Sequence, residues 1–216
     1  MRFRTIHEER EKRIVFAFGR LNPPTAGHSK LVDKVRSEAQ KRRADHRVIV
    51  SHSQDKHKNP LTAKDKITYL KSIHPGTKFM ASSRAEPHFI AHLKKMSSQG
   101  FTHVVMIAGS DRVVEFQKIA DKYNGKDYNF KEIKIVSAGE RDPDAEGVTG
   151  ISGTKMRTFV SNNDFASFKR GLNPRATNAS AKKLFNAVRK GMQLKEGESR
   201  PSFTKFLEET IGTLNE

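Results

Sequence analysis

Two groups of side chains in this chain are suited to holding an anion, and each stands at the start of a helical pattern. The first lies in Arg13-Ile-Val-Phe-Ala-Phe-Gly19-Arg20-Leu-Asn22-Pro23-Pro24-Thr25-Ala-Gly27-His28. Its apolar run, Ile14 to Phe18, reads as a buried strand. The run breaks at Gly19, turns through Asn22-Pro23-Pro24 and resumes as a helix near Gly27-His28 with Leu31, Val32 and Val35 on one face. Open amides in the first turn of such a helix point outward and its dipole favours negative charge, so His28 stands where it can touch a phosphate. The second group is Ile151-Ser152-Gly153-Thr154-Lys155-Met156-Arg157. Two hydroxyls and a glycine precede a helix, and Arg157 lies one turn on, within reach of the same anion. The plainer reading has His28 capping its helix and Arg157 solvated on the surface.

The elements that must position these groups alternate in type. A strand at Ile14–Phe18 and a helix at Gly27–Glu38 are followed by a basic turn, Lys41-Arg42-Arg43, and a strand at Arg47–Ser51. A loop to Pro60 leads into a helix from about Thr62, with Ile67, Leu70 and Ile73 on one face. Thr77–Ala81 reads as a weaker strand, and Phe89, Ile90, Leu93 and Met96 recur at helical spacing. Val104–Ala108 is a strong buried strand ending in Gly109-Ser110-Asp111. A helix with Val113, Val114 and Ile119 and a fifth strand at Ile133–Val136 complete the pattern. Such alternation predicts an α/β fold with a doubly wound parallel sheet. Ligands of such sheets bind beyond the carboxyl ends of the strands. The loops Gly19–His28, Ser51–Pro60 and Gly109–Arg112 all follow strands, which predicts one site built from three loops.

The chain divides into a lead-in (1–13), a main domain (14–160), a basic helical appendage (161–191) and a linker with tail (192–216). Apolar spacing at Phe159, Val160, Phe165, Phe168 and Leu172, then at Leu184, Phe185 and Val188, predicts two short helices in the appendage, the second ended by Gly191. With 216 residues and 35% hydrophobic content the chain can bury a core of ordinary size. No apolar run is long enough to cross a membrane, the first residues lack a secretory pattern, and cysteine is absent, which together predict a cytoplasmic protein. The net charge of +17 is uneven. Residues 167–191 hold Lys169, Arg170, Arg175, Lys182, Lys183, Arg189 and Lys190 and no acid. A basic face of this kind attracts polyanions, and weak nucleic-acid binding is the sharper of two expectations; the blander is solubility with attraction for a nucleoside triphosphate. His46, His74, His92 and His103 are expected at the surface. A homo-oligomer is left open.

Thr25-x-Gly27-His28 resembles the (His/Thr)-x-Gly-His signature of the cytidylyltransferase-like nucleotidyltransferases, and Ile151–Arg157 resembles their Ile-Ser-Ser-Thr-x-x-Arg motif, with Gly153 replacing the second serine. The plainer reading explains either motif alone but not both in this order. Within that superfamily the chain is most similar to the archaeal-type nicotinamide-mononucleotide adenylyltransferases. Gly19-Arg20-Leu-Asn22-Pro23-Pro24-Thr25-Ala-Gly27-His28 is close to their opening segment. Ser53-Gln54…His57-Lys58-Asn59-Pro60-Leu61-Thr62 is similar to their Ser-Ala-Gln…His…Asn-Pro-Phe-Thr, and Ser152–Arg157 to their Ser-Gly-Thr-x-x-Arg. The likeness covers roughly residues 14–160. It departs where the family stacks nicotinamide on tryptophan, which this chain lacks; Phe89 is the candidate substitute, with a core role the competing expectation. Separately, Leu194-Lys195-Glu196-Gly197 resembles the cleavage sites of tailed-phage prohead proteases, which would place the protein in host cytoplasm or virion.

The resemblance implies a Rossmann-like nucleotidyltransferase that moves a nucleoside monophosphate, AMP from ATP, to a phosphorylated acceptor such as nicotinamide mononucleotide. Other acceptors, namely a sugar phosphate, a phosphopantetheine or an alcohol phosphate, stay open, as does CTP. A rival from another class is a nucleic-acid-associated or scaffold protein that keeps the fold. His28, Arg157 and Arg20 would act on the phosphates at the point of transfer. Gly19, Thr25, Gly27, Ser152, Gly153 and Thr154 would line the nucleotide, joined by Gly109 and Asp111, whose carboxylate could accept from a ribose hydroxyl or cap the next helix. Gln54, His57 and Asn59 would face the acceptor. Mg²⁺ would bridge phosphate oxygens with mostly water ligands, so no residue is assigned to a metal.

Overall fold

The computed structural model describes residues 11–139 and 151–194. Within them the chain runs through β1 (Arg13–Gly19), α1 (Ala26–Arg42), β2 (Asp45–Val50), α2 (Ala63–Ile73), β3 (Phe79–Ala81), α3 (Phe89–Ser98) and β4 (His103–Ala108). A single 3-10 turn at Ser110–Arg112 precedes α4 (Val113–Tyr123) and β5 (Glu132–Ser137). Then come α5 (Gly153–Ser161), α6 (Phe165–Arg170) and α7 (Asn178–Gly191).

All strand pairings are parallel and the sheet order is β3-β2-β1-β4-β5. The first strand therefore lies in the middle. The chain winds to one edge through β3 and returns across β1 to β4, so the topological switch lies between β1 and β4, where the loops part and a ligand can enter. This is the doubly wound sheet that the alternation of elements predicts.

Strand side chains alternate between two apolar layers, as a period of two requires. Ile14 and Phe16 join Leu93, Met96, Phe101 and Met106 on the face covered by α3 and α4. Val15 and Ala17 join Val32, Val35 and Val48 on the face covered by α1. α1 runs one turn past its expected end. Glu38 lies 3.1 Å from Lys34 and 3.3 Å from Arg42, ion pairs at helical spacing that favour continuation, and Arg43 closes the helix in the left-handed conformation. Val114, apolar but 81% exposed, faces solvent from α4.

A third apolar cluster joins α5, α6 and α7 to α2: Met156, Val160, Phe168, Leu184, Phe185 and Val188 pack with Leu61, Tyr69, Leu70 and Ile73. Leu21 and Val50, at the carboxyl ends of β1 and β2, belong to the same cluster. The C-terminal helices are thus packed against the ends of the strands that carry the predicted site. The packing continues to Met192, which is buried, and Leu194. Of the cleavage-like motif only Leu194 lies within the described residues, and the amphipathic turn that the spacing of Phe203, Phe206, Leu207 and Ile211 predicts lies wholly outside them.

Gly191 is the tightest joint of this layer. A Cβ on it would overlap the backbone of Pro60, oxygen and carbonyl carbon alike. Elsewhere in a helix alanine is worth about 1 kcal/mol more than glycine. Here that gain is outweighed, because neither backbone can move without disturbing the cluster. Gly191→Ala is expected to destabilise the fold by about 1–3 kcal/mol, the usual cost of overpacking. Urea unfolding followed by circular dichroism measures it, and a stabilised variant would contradict the close approach.

Candidate active site

The site begins where β1 ends. After Gly19 the backbone takes a left-handed conformation at Leu21, with φ of 43°, and a cis peptide joins Asn22 to Pro23. The Asn22 side chain is buried and pairs with one residue twice. Its Nδ2 donates to the Leu61 carbonyl at 3.1 Å, and its Oδ1 accepts from the Leu61 amide at 2.9 Å. This ties the β1–α1 loop to the β2–α2 loop.

Thr25 and His28 then form a reciprocal cap on α1. The His28 amide donates to Thr25 Oγ1 at 3.4 Å, and the Thr25 amide donates to His28 Nδ1 at 3.1 Å. A ring nitrogen that accepts from a backbone amide carries no proton, so the proton of a neutral His28 sits on Nε2, which becomes a donor. Capping and phosphate contact therefore use opposite nitrogens, and the two readings of His28 are compatible. The expectation of an open first turn needs correction. The Ala26 amide donates to the Gly171 carbonyl at 2.9 Å and the His28 amide serves the cap. Only the Gly27 amide lacks an acceptor among the described residues of that turn. Arg20 is exposed.

The second loop follows β2. Asp55 closes it: its carboxylate accepts from the amides of His57, Lys58 and Asn59 and from Asn59 Nδ2. Those donors hold the Asp55 carboxyl far below the usual carboxylate range. Gln54 and His57 are exposed, whereas Asn59 is buried with its amide given to Asp55. Asn59 shapes the loop; Gln54 and His57 are the members of that trio whose side chains reach solvent. Lys66, on α2, lies fully buried beneath both loops. Its Nζ donates to the carbonyls of Arg20 and Ser51 at 2.9 and 2.6 Å. Neither Lys66 nor the side chain of Asn22 is among the sequence-based site residues. Lys66 could have been found by extending the apolar stripe of Leu70 and Ile73 one turn back, where a buried residue is required.

The second motif reaches the first through space. Ser152 Oγ accepts from the Lys155 amide at 3.1 Å and caps α5. One turn on, half-buried Arg157 donates from Nη1 to the Asn22 carbonyl at 2.8 Å and from Nη2 to Thr154 Oγ1 at 3.0 Å. Arg157 is therefore anchored, not solvated. Its pKa is lowered, first by burial and then by the charge of Arg20, while Asp55 works in the opposite sense. Two cations that disfavour each other mark a place where an anion is welcome. Gly153 stands in the same contact: a Cβ on it would come within 3.3 Å of the Asn22 carbonyl oxygen. That contact is tight, and a side chain here would need the Asn22 carbonyl to give by a few tenths of an ångström. The amides of Gly153 and Thr154 have no acceptor among the described residues.

At the third loop, Gly109 and Asp111 follow β4. Asp111 is exposed, 3.6 Å from Arg112 Nε, and sits inside the 3-10 turn; α4 begins with Arg112 at its cap and no capping side chain. The capping alternative for Asp111 is thus not realised, and its carboxylate stands at the carboxyl end of β4. Phe89 is buried against Phe116, ring centroids 4.7 Å apart, in a core position. His74 and His92, expected at the surface, are buried, beside Asp33 at 3.2 Å and Glu86 at 3.8 Å. Of the basic run, Lys169 bonds Asn178, Arg170 bonds Ser167, Arg189 bonds Asn163 and Lys182 lies over the Phe165 ring.

A cytidylyltransferase-like family model matches residues 16–159, from the middle of β1 through most of α5. The chain belongs to this family. Among solved structures it is similar to a protein of Vibrio parahaemolyticus assigned as a nicotinate-nucleotide adenylyltransferase, with a TM-score of 0.52 and 13% identity over 81% of this chain and 99% of that one. A macrolide-efflux protein of Streptococcus pneumoniae gives a TM-score of 0.47 and 16% identity over 74% of this chain and 55% of that one. No curated protein sequence matches the chain. The first likeness bears on fold alone, and it agrees with the nucleotidyltransferase architecture. No helix of the described residues is long and apolar enough to cross a membrane.

The Asn22–Leu61 pair makes a stability prediction. Asn22→Ala leaves one buried amide and one buried carbonyl without partners, each worth about 1–3 kcal/mol. The variant is expected to unfold at clearly lower urea concentration than the wild type with an unchanged slope. An unchanged midpoint would show that water replaces the side chain.

Proposed function

We propose that this chain transfers an adenylyl group from ATP to a phosphorylated acceptor, nicotinamide mononucleotide, and releases pyrophosphate. The observation that carries the reading is the meeting of the two motifs at one atom. The Asn22 carbonyl receives Arg157 and lies against Gly153, which brings the start of α5 to the loop that carries Arg20 and leads to His28. A triphosphate laid across this junction would meet Arg20, Arg157, the His28 Nε2–H and the open amides of Gly153 and Thr154.

In the reaction an acceptor phosphate oxygen attacks the α-phosphorus, a new P–O bond forms, and the bond to the β-phosphate oxygen breaks with pyrophosphate as leaving group. Positioning and preorganised positive charge lower the barrier, and no nucleophilic side chain is needed. His28 donates to the α-phosphate oxygens as charge builds there; Arg157 and Arg20 hold the β- and γ-phosphates. Ser152 and Thr154 orient the chain of phosphates, and Asp111 accepts from ribose. Magnesium, where the reaction uses it, would be brought in with the triphosphate. Magnesium there would neutralise part of the triphosphate charge.

The adenylyl and nicotinamide parts rest on the family likeness in the Ser53–Thr62 and Ser152–Arg157 segments. With Phe89 in the core and no tryptophan, stacking of the acceptor base falls to other groups, so Gln54 and His57 are the acceptor-side candidates.

Two outcomes test this. Arg157→Ala and His28→Ala should each lower kcat about 100–1,000-fold, the cost of removing a preorganised donor to developing charge. Full turnover in both would refute the site. With ATP and nicotinamide mononucleotide, the wild type should form a dinucleotide with KM in the ordinary range of about 1 µM to 1 mM. Product from CTP, or from a sugar phosphate, phosphopantetheine or alcohol phosphate in its place, would reassign the substrate while keeping the reaction class.

A further inference from the structure

Helix α2 turns one lysine fully inward. Lys66 shares the buried face of Tyr69, Leu70 and Ile73, and its Nζ is surrounded by the Arg20 carbonyl at 2.9 Å, the Ser51 carbonyl at 2.6 Å and the Ser51 hydroxyl at 3.4 Å. Three acceptors around one nitrogen match the three protons of an ammonium. All three are neutral, and no carboxylate of the described residues pairs with it. Burial alone acts on it and pushes its pKa down to about 8. A buried cation held only by dipoles is costly, and a nearby anion relieves that cost.

The two carbonyls mark where β1 and β2 end. Arg20 opens the loop that continues to Asn22, Thr25 and His28. Ser51 opens the loop closed by Asp55, and its amide donates to the Gly19 carbonyl at 2.9 Å. One ammonium therefore fixes the spacing of two of the three loops of the site and leaves a positive charge beneath them. We infer that Lys66 positions the nucleotide: its ammonium holds the Arg20 and Ser51 carbonyls in register and takes its counter-charge from the phosphates that bind at those strand ends. The inference rests on the nucleotidyltransferase reading above.

The titratable groups on the surrounding segments include Arg20 past β1, His52 past β2, Asp55, Lys56, His57 and Lys58 in the second loop, Lys64, Asp65, Tyr69 and Lys71 on α2, and Arg157 on α5. Asp65 is bonded to Thr62, His52 lies 2.9 Å from Ser82 Oγ, and Asp55 is taken up by its own loop. None of them supplies Lys66 with a partner.

The test follows the lysine itself. Full-length wild type carrying lysine labelled at Cε is titrated by NMR from neutral to strongly alkaline pH, with and without inorganic tripolyphosphate. The midpoint of Lys66 is expected to rise by about one unit on binding, a tenfold preference for the charged form. By linkage, tripolyphosphate affinity measured by calorimetry should fall about tenfold as pH rises through the Lys66 titration. Ionisation of the probe cannot cause that fall, because loss of its last proton makes it more negative and would raise its affinity for a cationic site. Lys66→Met should bind about tenfold more weakly at neutral pH and show no alkaline fall, the same free energy read a third way. Binding with an unmoved Lys66 midpoint and no alkaline fall would reduce Lys66 to a staple of strand ends and overturn this inference alone. Failure of the wild type to bind tripolyphosphate, ATP or CTP would overturn the nucleotidyltransferase reading and this inference with it. The labelled wild type decides the matter even if Lys66→Met does not fold.

Discussion

Everything near the candidate site depends on Asn22. Its side chain satisfies both backbone groups of Leu61, its carbonyl accepts Arg157, and Gly153 at the start of α5 lies against that same carbonyl. One residue thereby joins the loops after β1 and β2 and the start of α5, across up to 135 positions of sequence. The arrangement is inexpensive because each polar atom brought inside finds a partner there. Loop positions that would otherwise vary are reduced to one geometry, which is what electrostatic catalysis by positioning requires.

The sheet supplies the frame for that junction. With β1 in the centre and β4 beside it, the first and third loops rise on either side of the switch in winding direction. The apolar layers of α1 on one face, and of α3 and α4 on the other, keep the strands in register. The layer of α2, α5, α6 and α7 reaches Leu21 and Val50 at the strand ends. Core and site are therefore continuous, and the side chains that stabilise the one hold the other in place.

The sequence made the frame legible and the junction only in part. Strands such as Val104–Ala108 announce themselves by unbroken apolar runs, and Thr62 and Ser152 are capping residues at the expected helix starts. The two motifs, too, are visible, because they occur together and in the family's order, which the plainer reading of each alone does not explain. What stayed hidden was the partner of each polar side chain. Asn22 beside two prolines reads as an ordinary turn, and Lys66 as one more charge in a basic chain. His74 and His92 read as surface residues, since histidine suits both environments and only tertiary packing decides. The open first turn expected at α1 failed for a similar reason: its acceptor, the Gly171 carbonyl, comes from a helix end far along the chain.

The contact of Gly191 with Pro60 has a consequence for the order in which a ribosome delivers this molecule. Asn22, Leu61 and Lys66 emerge early and can find one another while synthesis continues. The backing for Pro60 arrives only when α7 has left the exit tunnel, almost at the end of the described chain. Until then the loop after β2 is held from one side alone. The nascent protein can assemble its sheet vectorially, strand by strand, but the backing of the loop after β2 arrives last among the described elements.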